Sequence, residues 1–247
     1  MKKFLVMVLA MALALAPALA ANALVAGTNP EFQPFEFMDD DENVIGFDAD
    51  LAAELSKDLG VEIQFESTAF DSIVPGIASG KYDLGISGFY ITEERLMNVD
   101  FSIPYLQDSQ SCIVKAGGSV TDEESLKGKK IGSQTGTLGM ESAEEFTDEG
   151  NIFGYNSALN AIMELQGGKL DAVITDTPVA NRIVKELNDP DIMILDAIAF
   201  EVNFYGVALP KGSALKAQVD ASIQRMLDDG TIDALVEKWD IFSQAEE

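Results

Sequence analysis

The chain has 247 residues, 16 of them basic against 42 acidic, a formal net charge of −26 and no histidine. So acidic a balance excludes a nucleic-acid partner, because phosphates demand a basic footprint, and it disfavours anionic membrane surfaces. Without histidine and with Cys112 as the single cysteine, serine-histidine and cysteine-histidine nucleophiles, histidine-bearing metal sites and intramolecular disulfides are excluded too. The excess acid reads as a solvated, aggregation-resistant surface, with adaptation to high salt as the alternative.

In chain order, residues 1–20 combine Lys2 and Lys3, an apolar run from Phe4 to Leu15 and Ala18-Leu19-Ala20, the small-x-small pattern that signal peptidase reads. This is an export signal cleaved after Ala20; an uncleaved anchor is the alternative, although the apolar run is short for a membrane span. No cysteine stands at the cleavage site, so a soluble periplasmic protein without a lipid anchor is expected. Residues 23–28, ALVAGT, read as a buried strand ending in the turn Asn29-Pro30, at the carboxyl end where α/β sheets carry ligand loops. Residues 31–38, EFQPFEFM, are interrupted by Pro34 and make neither a clean helix nor a clean strand. The acidic run 39–42 is a solvated turn.

Leu51, Leu55 and Leu59 at spacing four predict a helix over 47–59, with Asp48 as cap and Gly60 as stop. A strand over 61–65, a short helix over 72–78 and a strand over 83–87 turning at Gly88 complete a βαβαβ order, which implies a parallel sheet with helices on its faces. Thr92-Glu93-Glu94 then caps a turn before Arg95, one of only three arginines and a candidate clamp for an anionic group. Extended segments at 99–102 and 111–115, the latter packing Cys112, flank the turn Pro104-Tyr105. The pattern then restarts with a helical turn at 125–127, strands at 130–133, 152–155 and 171–175, and helices from Gly136-Thr137 to about 146, over 158–166 and over 178–187. Extended stretches at 192–195 and 203–209 lead to closing helices at 214–227 and 232–239. With no low-complexity linker, two such units are joined by crossing strands, and a hinge follows.

Eight segments are weak singly and specific in this order and spacing: PFEF (34–37), GFDADLAAEL (46–55), FDSIVPGIASGKYDLGISG (70–88), ITEER (91–95), VDFSIPY (99–105), LKGKKIG (126–132), LQGGKLDAVITD (165–176) and YGVALPKGS (205–213). Through them the chain resembles the type-3 extracellular solute-binding proteins, the periplasmic amino-acid receptors of ABC importers. The resemblance implies an α/β fold of the two-lobe, type II periplasmic-binding-protein class, each lobe a mixed, mostly parallel sheet flanked by helices, joined by two hinge strands near 105–109 and 201–205. Residues 21–109 and 204–247 would form lobe 1 and residues 110–203 lobe 2. A monomeric, non-enzymatic receptor is implied, with no cofactor or metal, closing on an amino acid in the cleft and delivering it to a membrane permease.

The resemblance also assigns residues. Arg95 would grip the ligand carboxylate, the alternative being a helix salt bridge to Glu94 or Asp100; Asp176 would take the ammonium, or merely cap the helix that follows. Thr137 and Leu138, after Gly136, would offer backbone N–H groups at a helix start, the alternative being a simple turn. Phe32 and Phe70 would sandwich the side chain, unless they are core, and Ser87 and Gly88 would supply a hydroxyl and a carbonyl. Asn29 and Gln134, polar and uncharged, hint at a neutral or polar ligand side chain. Two departures stand out: Tyr90 stands where the family usually has a small hydroxyl residue and would either narrow the pocket or replace that hydroxyl's hydrogen bond with a phenol, and Leu138 lacks a side-chain donor. The competing readings are an enzyme on this architecture, such as a cyclohexadienyl-dehydratase-like protein, for which Glu31 is the one acid placed near the mouth, or a sensor domain expected to continue into a membrane span. A cell-wall lytic enzyme would need a further domain.

Overall fold

The computed structural model describes residues 23–242; the export signal expected over 1–20 lies outside them. Two five-stranded sheets carry the chain. In the first, Leu24–Thr28 runs parallel to both Ile63–Ser67 and Leu84–Gly85, while Ala208–Pro210 enters antiparallel between Leu84–Gly85 and Val99–Phe101. The second repeats the plan: Ile131–Gln134 is parallel to Ile152–Tyr155 and Ala172–Asp176, and Gln110–Lys115 lies antiparallel between Ala172–Asp176 and Ile192–Ile194. Each sheet thus holds one reversed strand among four co-directional ones. The inner parallel strands, Leu84–Gly85, Ile131–Gln134 and Ala172–Asp176, are buried because helices cover both faces, while the edge strands Ile63–Ser67 and Ile152–Tyr155 are partly exposed.

Helix Phe47–Leu59 buries Leu51 and Leu55 against the closing helices Lys216–Asp228 and Thr231–Trp239. Polar contacts fix that packing: Asp58 accepts from Ser222 Oγ at 2.5 Å and Arg225 Nε at 2.7 Å, and Asp50 accepts from Trp239 Nε1 at 2.6 Å. The expected cap at Asp48 is corrected. Gly46, at φ 126°, occupies the cap position without a side chain, so Asp48 falls inside the first turn and is fully buried.

Residues 31–38 resolve into Glu31–Phe32 and Glu36–Met38, which pair antiparallel and continue onto Val44–Ile45. Strands of two and three residues around Pro34 are too short to leave a periodic signal. The helix expected from 136 to about 146 covers only Leu138–Ala143, and the stretch 203–209 breaks at Gly206 into Asn203–Tyr205 and Ala208–Pro210. Asn203–Tyr205 pairs antiparallel with Leu106–Asp108, so the two crossings between the sheets form one ribbon. Cys112 is buried in its strand, and burial pushes its thiol up to about 12. Among the described residues no helix is long and apolar enough to cross a membrane.

Candidate functional site

The carboxyl ends of the parallel strands of both sheets face one another, and the site residues collect there, as open α/β sheets require. Arg95 lies in the short helix Glu93–Asn98, where Thr92 Oγ1 accepts its backbone N–H at 3.2 Å. Its side chain is buried. Nη1 donates to Tyr90 O at 2.8 Å, and Nη2 reaches across to Gly136 O, beyond strand Ile131–Gln134 of the second sheet, at 3.0 Å. The guanidinium sits 5.4 Å from the Phe70 ring centroid and 5.3 Å from that of Phe89, a geometry in which aromatic faces stabilise a cation. Among the described residues it forms no ion pair with Glu94 or Asp100; Asp100 is held instead by Lys211 and Gly212 N. Burial lowers its proton affinity while Glu141, Asp176 and Glu94 raise it, and a guanidinium stays charged through such shifts.

Asp176 ends strand Ala172–Asp176 and precedes helix Thr177–Leu187, yet its carboxylate makes no capping bond. Oδ2 accepts from Tyr205 OH at 2.9 Å and Oδ1 from Gln110 Nε2 at 3.2 Å. Burial pushes the carboxyl up to about 7, opposed by the Tyr205 bond. Asp108, in the hinge ribbon, is likewise raised by burial to about 7, so the cleft is more protonated near neutrality than its acid content suggests.

Asn29 and Gln134 meet across the cleft: Gln134 Nε2 donates to Asn29 Oδ1 at 2.8 Å and to Asn156 O at 2.9 Å, and Asn29 Nδ2 donates to Thr68 O at 2.9 Å. Their amides are spent on joining the sheets, which removes the ground for reading a neutral ligand from them; Gln134 Oε1 alone is left without a partner. Phe70 stacks on Phe89 at 4.8 Å, and Phe32 on Phe35 at 5.9 Å. Gly88, at φ 51°, lies so close to Phe32 that a Cβ there would meet the ring at 3.0 Å. Thr137 caps by position only, its hydroxyl donating to Gln134 O at 2.7 Å, and the half-buried Leu138 packs against the main core.

Tyr90 does not project its phenol toward Arg95. Its ring packs on Tyr205 at 4.3 Å, and its hydroxyl donates to Ser109 O at 3.1 Å in the hinge. The oversized residue is absorbed by the ribbon while its carbonyl serves the arginine.

Two cavities open from this region. One of about 290 Å³ is lined by Asn29, Glu31, Thr68, Phe70, Asp71 and Asn156 among others, and one of about 230 Å³ by Phe70, Phe89, Arg95, Glu94, Gly136 and Glu141 among others. Glu31 is therefore joined at the mouth by Asp71, Glu94 and Glu141. Sequence reasoning also missed Tyr205 and Gln110, which hold Asp176, and the buried acids Glu36 and Asp48, which hold Ser87 and Gly88. The only trace of the latter was an acid between two phenylalanines in PFEF. Among the described residues no group of acidic or cysteine side chains is arranged to hold a metal ion.

The model of the bacterial extracellular solute-binding proteins, family 3, matches residues 24–243. The chain belongs to this family. A similar curated protein is ABC transporter arginine-binding protein 1 of Escherichia coli K12, 32% identical over 225 residues, covering 89% of this chain and 91% of that protein. L-cystine-binding protein TcyJ of the same organism is 34% identical over 222 residues, covering 88% and 82%. Among solved structures, the arginine-, lysine-, histidine-binding protein ArtJ of Geobacillus stearothermophilus superposes with a TM-score of 0.83 at 37% identity, covering 88% of this chain and 94% of that one. With sheets of this order and a paired hinge, this family 3 protein has the two-lobe, type II fold, each lobe a mixed, mostly parallel sheet flanked by helices. Its relatives are binding proteins, and it is a binding protein rather than an enzyme.

Proposed function

We propose that the chain captures an α-amino acid between its lobes and delivers it to an ABC permease. One observation carries this reading: a buried guanidinium and a buried carboxylate, Arg95 and Asp176, face one cleft from opposite sheets, close enough for each to shift the other's protonation. A zwitterion supplies the matching pair of charges, its carboxylate to Arg95 and its ammonium to Asp176. Phe70 and Phe32 would flank the side chain, Thr137 and Leu138 would present backbone N–H groups, and Gly136 would mark where the lobes meet. The relatives named for arginine and cystine binding support the ligand class.

The side-chain end favours a basic amino acid. The cavity beside Asn29 carries the carboxylates of Glu31 and Asp71 and no lysine or arginine, and the unpartnered Gln134 Oε1 is buried next to it. Export by residues 1–20 to the periplasm, with lobes at 21–109 plus 204–247 and at 110–203, completes the proposal. Mass spectrometry of the exported protein should find a new amino terminus at Ala21.

A thermal-shift panel of the ligand-free protein tests the function, since a ligand stabilises the state that binds it. Arginine, lysine and histidine should raise the midpoint most and glutamate least. No shift with any amino acid would overturn the proposal, and shifts confined to neutral amino acids would overturn only the basic side chain.

A further inference from the structure

Behind the ligand-facing turn of lobe 1 lies a group of acids to which the proposed clamp gives no role. Glu36, Asp48 and Ser87 are all fully buried. Ser87 Oγ lies 2.5 Å from Glu36 Oε1 and accepts the backbone N–H of Asn29 at 2.9 Å. Gly88 N donates to Asp48 Oδ2 at 2.7 Å, and Tyr105 OH to Asp48 Oδ1 at 3.4 Å. Ser87 and Gly88 are adjacent in the chain, so the two carboxylates that hold them, Glu36 and Asp48, lie side by side, and among the described residues neither forms an ion pair with a lysine or arginine.

We propose that Glu36 and Asp48 share one proton and act as positioning residues, fixing the Ser87 hydroxyl and the Gly88 backbone as acceptors for the ligand's ammonium group. The argument is one of donors and acceptors. Both oxygens of Asp48 receive donors, whereas Glu36 Oε2 receives none from the rest of the protein. Two ionised carboxylates in contact, away from water, would leave that oxygen unsatisfied and both charges unpaired. A proton on Glu36 Oε2, donated to Asp48, satisfies that oxygen and leaves one charge in place of two, held by donors from Gly88, Tyr105 and Glu36. Glu36 Oε1 is then a carbonyl-type acceptor, and the Ser87 hydrogen points to it. One Ser87 lone pair takes Asn29 N–H, so what remains is a lone pair, which suits an ammonium because an ammonium brings only donors. The bond from Gly88 N–H to Asp48 fixes the turn at Gly88, where φ is 51°, and with it the Gly88 carbonyl. Burial and the neighbouring Asp48 both push Glu36 well above the usual carboxylate range, with Asp176 adding to the effect, in agreement with the geometry.

This inference rests on the amino-acid reading, and its test separates the two. Glutamine at position 36 reproduces the protonated acid, an acceptor toward Ser87 and a donor toward Asp48. Titration of L-arginine, and of the amino acid most stabilising in the panel, should therefore give Glu36→Gln a dissociation constant within about threefold of the parent, and Glu36→Leu one raised about tenfold or more. Glutamine as damaging as leucine, or leucine without effect, overturns the proposal. Infrared difference spectra of the parent against Glu36→Gln at pH 7 need no ligand and do not depend on the leucine variant folding. They should show the carbonyl stretch of a neutral carboxylic acid lost in the variant, and its absence from the parent also overturns the proposal. If no amino acid binds the parent while that band is present, the amino-acid reading fails and the shared proton stands.

Discussion

Arg95 and Asp176 are both buried, both charged residues, and both are held by neutral groups of the protein, yet burial acts on them unequally. Arg95 starts so high that losing water leaves it a cation. Asp176 starts low, and the same loss of water brings it up to about 7. In the proposed clamp the cationic pole is therefore fixed, and the anionic pole titrates near neutrality. A clamp built from one permanent and one conditional charge responds to pH at one end only.

The largest way to break this contrast is to delete the fixed pole. Arg95→Ala should raise the dissociation constant by at least about a hundredfold, the cost of orphaning a buried charge partner being about 3–5 kcal/mol, while the unliganded protein still melts cooperatively. Titration calorimetry with the stabilising amino acid checks this, and undiminished binding would return Arg95 to a packing role. Asp176→Asn attacks the conditional pole. It should weaken binding about tenfold or more at pH 8 and flatten the pH dependence. In the parent, affinity should rise with pH through about 7, because the ammonium prefers the ionised acid.

The stability of the ligand-free protein should run the other way. Asp108 and Asp176 have raised values of about 7, and Glu36, which holds the proton it shares with Asp48, lies well above the usual carboxylate range. Between the unfolded carboxylate range near pH 4 and about 7 the folded chain holds protons that the unfolded chain has released, so stability falls as pH rises across that window, by up to about 1.4 kcal/mol per unit for each group. Denaturant melts at pH 5, 6 and 7 measure the slope, and Asp176→Asn should reduce it. The smallest expected effect is at Tyr90. Tyr90→Phe removes the bond to Ser109 O, costing about 1 kcal/mol of stability, and leaves affinity unchanged because Arg95 uses the Tyr90 backbone.

Both poles were legible in the sequence, since each follows a strand and opens a helix, a pattern contained in a few consecutive residues. The two sheets were legible for the same reason. What supports the poles was not. Tyr205 reaches Asp176 from the hinge ribbon, where Phe204 lies opposite Gln107, and Gln110 from the antiparallel strand that sets it opposite Asp176, both pairings between residues far apart in the chain. Glu36 and Asp48 sit on different elements, and nothing local marks an acid as buried. Asp48 even carried the wrong signal, that of a helix cap, although the helix begins at Phe47 as expected and Gly46 takes the cap position. Tyr90 was recognised as anomalous, but only the ribbon shows where its ring goes.

The position of Ala208–Pro210 in the middle of the first sheet sets an order of assembly. All strands of the second sheet fall between Gln110 and Ile194, so that lobe is complete in the nascent chain before the last fifth of the sequence has emerged. The first sheet meanwhile waits as two fragments, Leu84–Gly85 and Val99–Phe101 lacking the strand that joins them. The middle of the chain is thus free to close before its beginning does, and the lobe carrying Arg95 acquires its final form only when the carboxyl-terminal segment arrives.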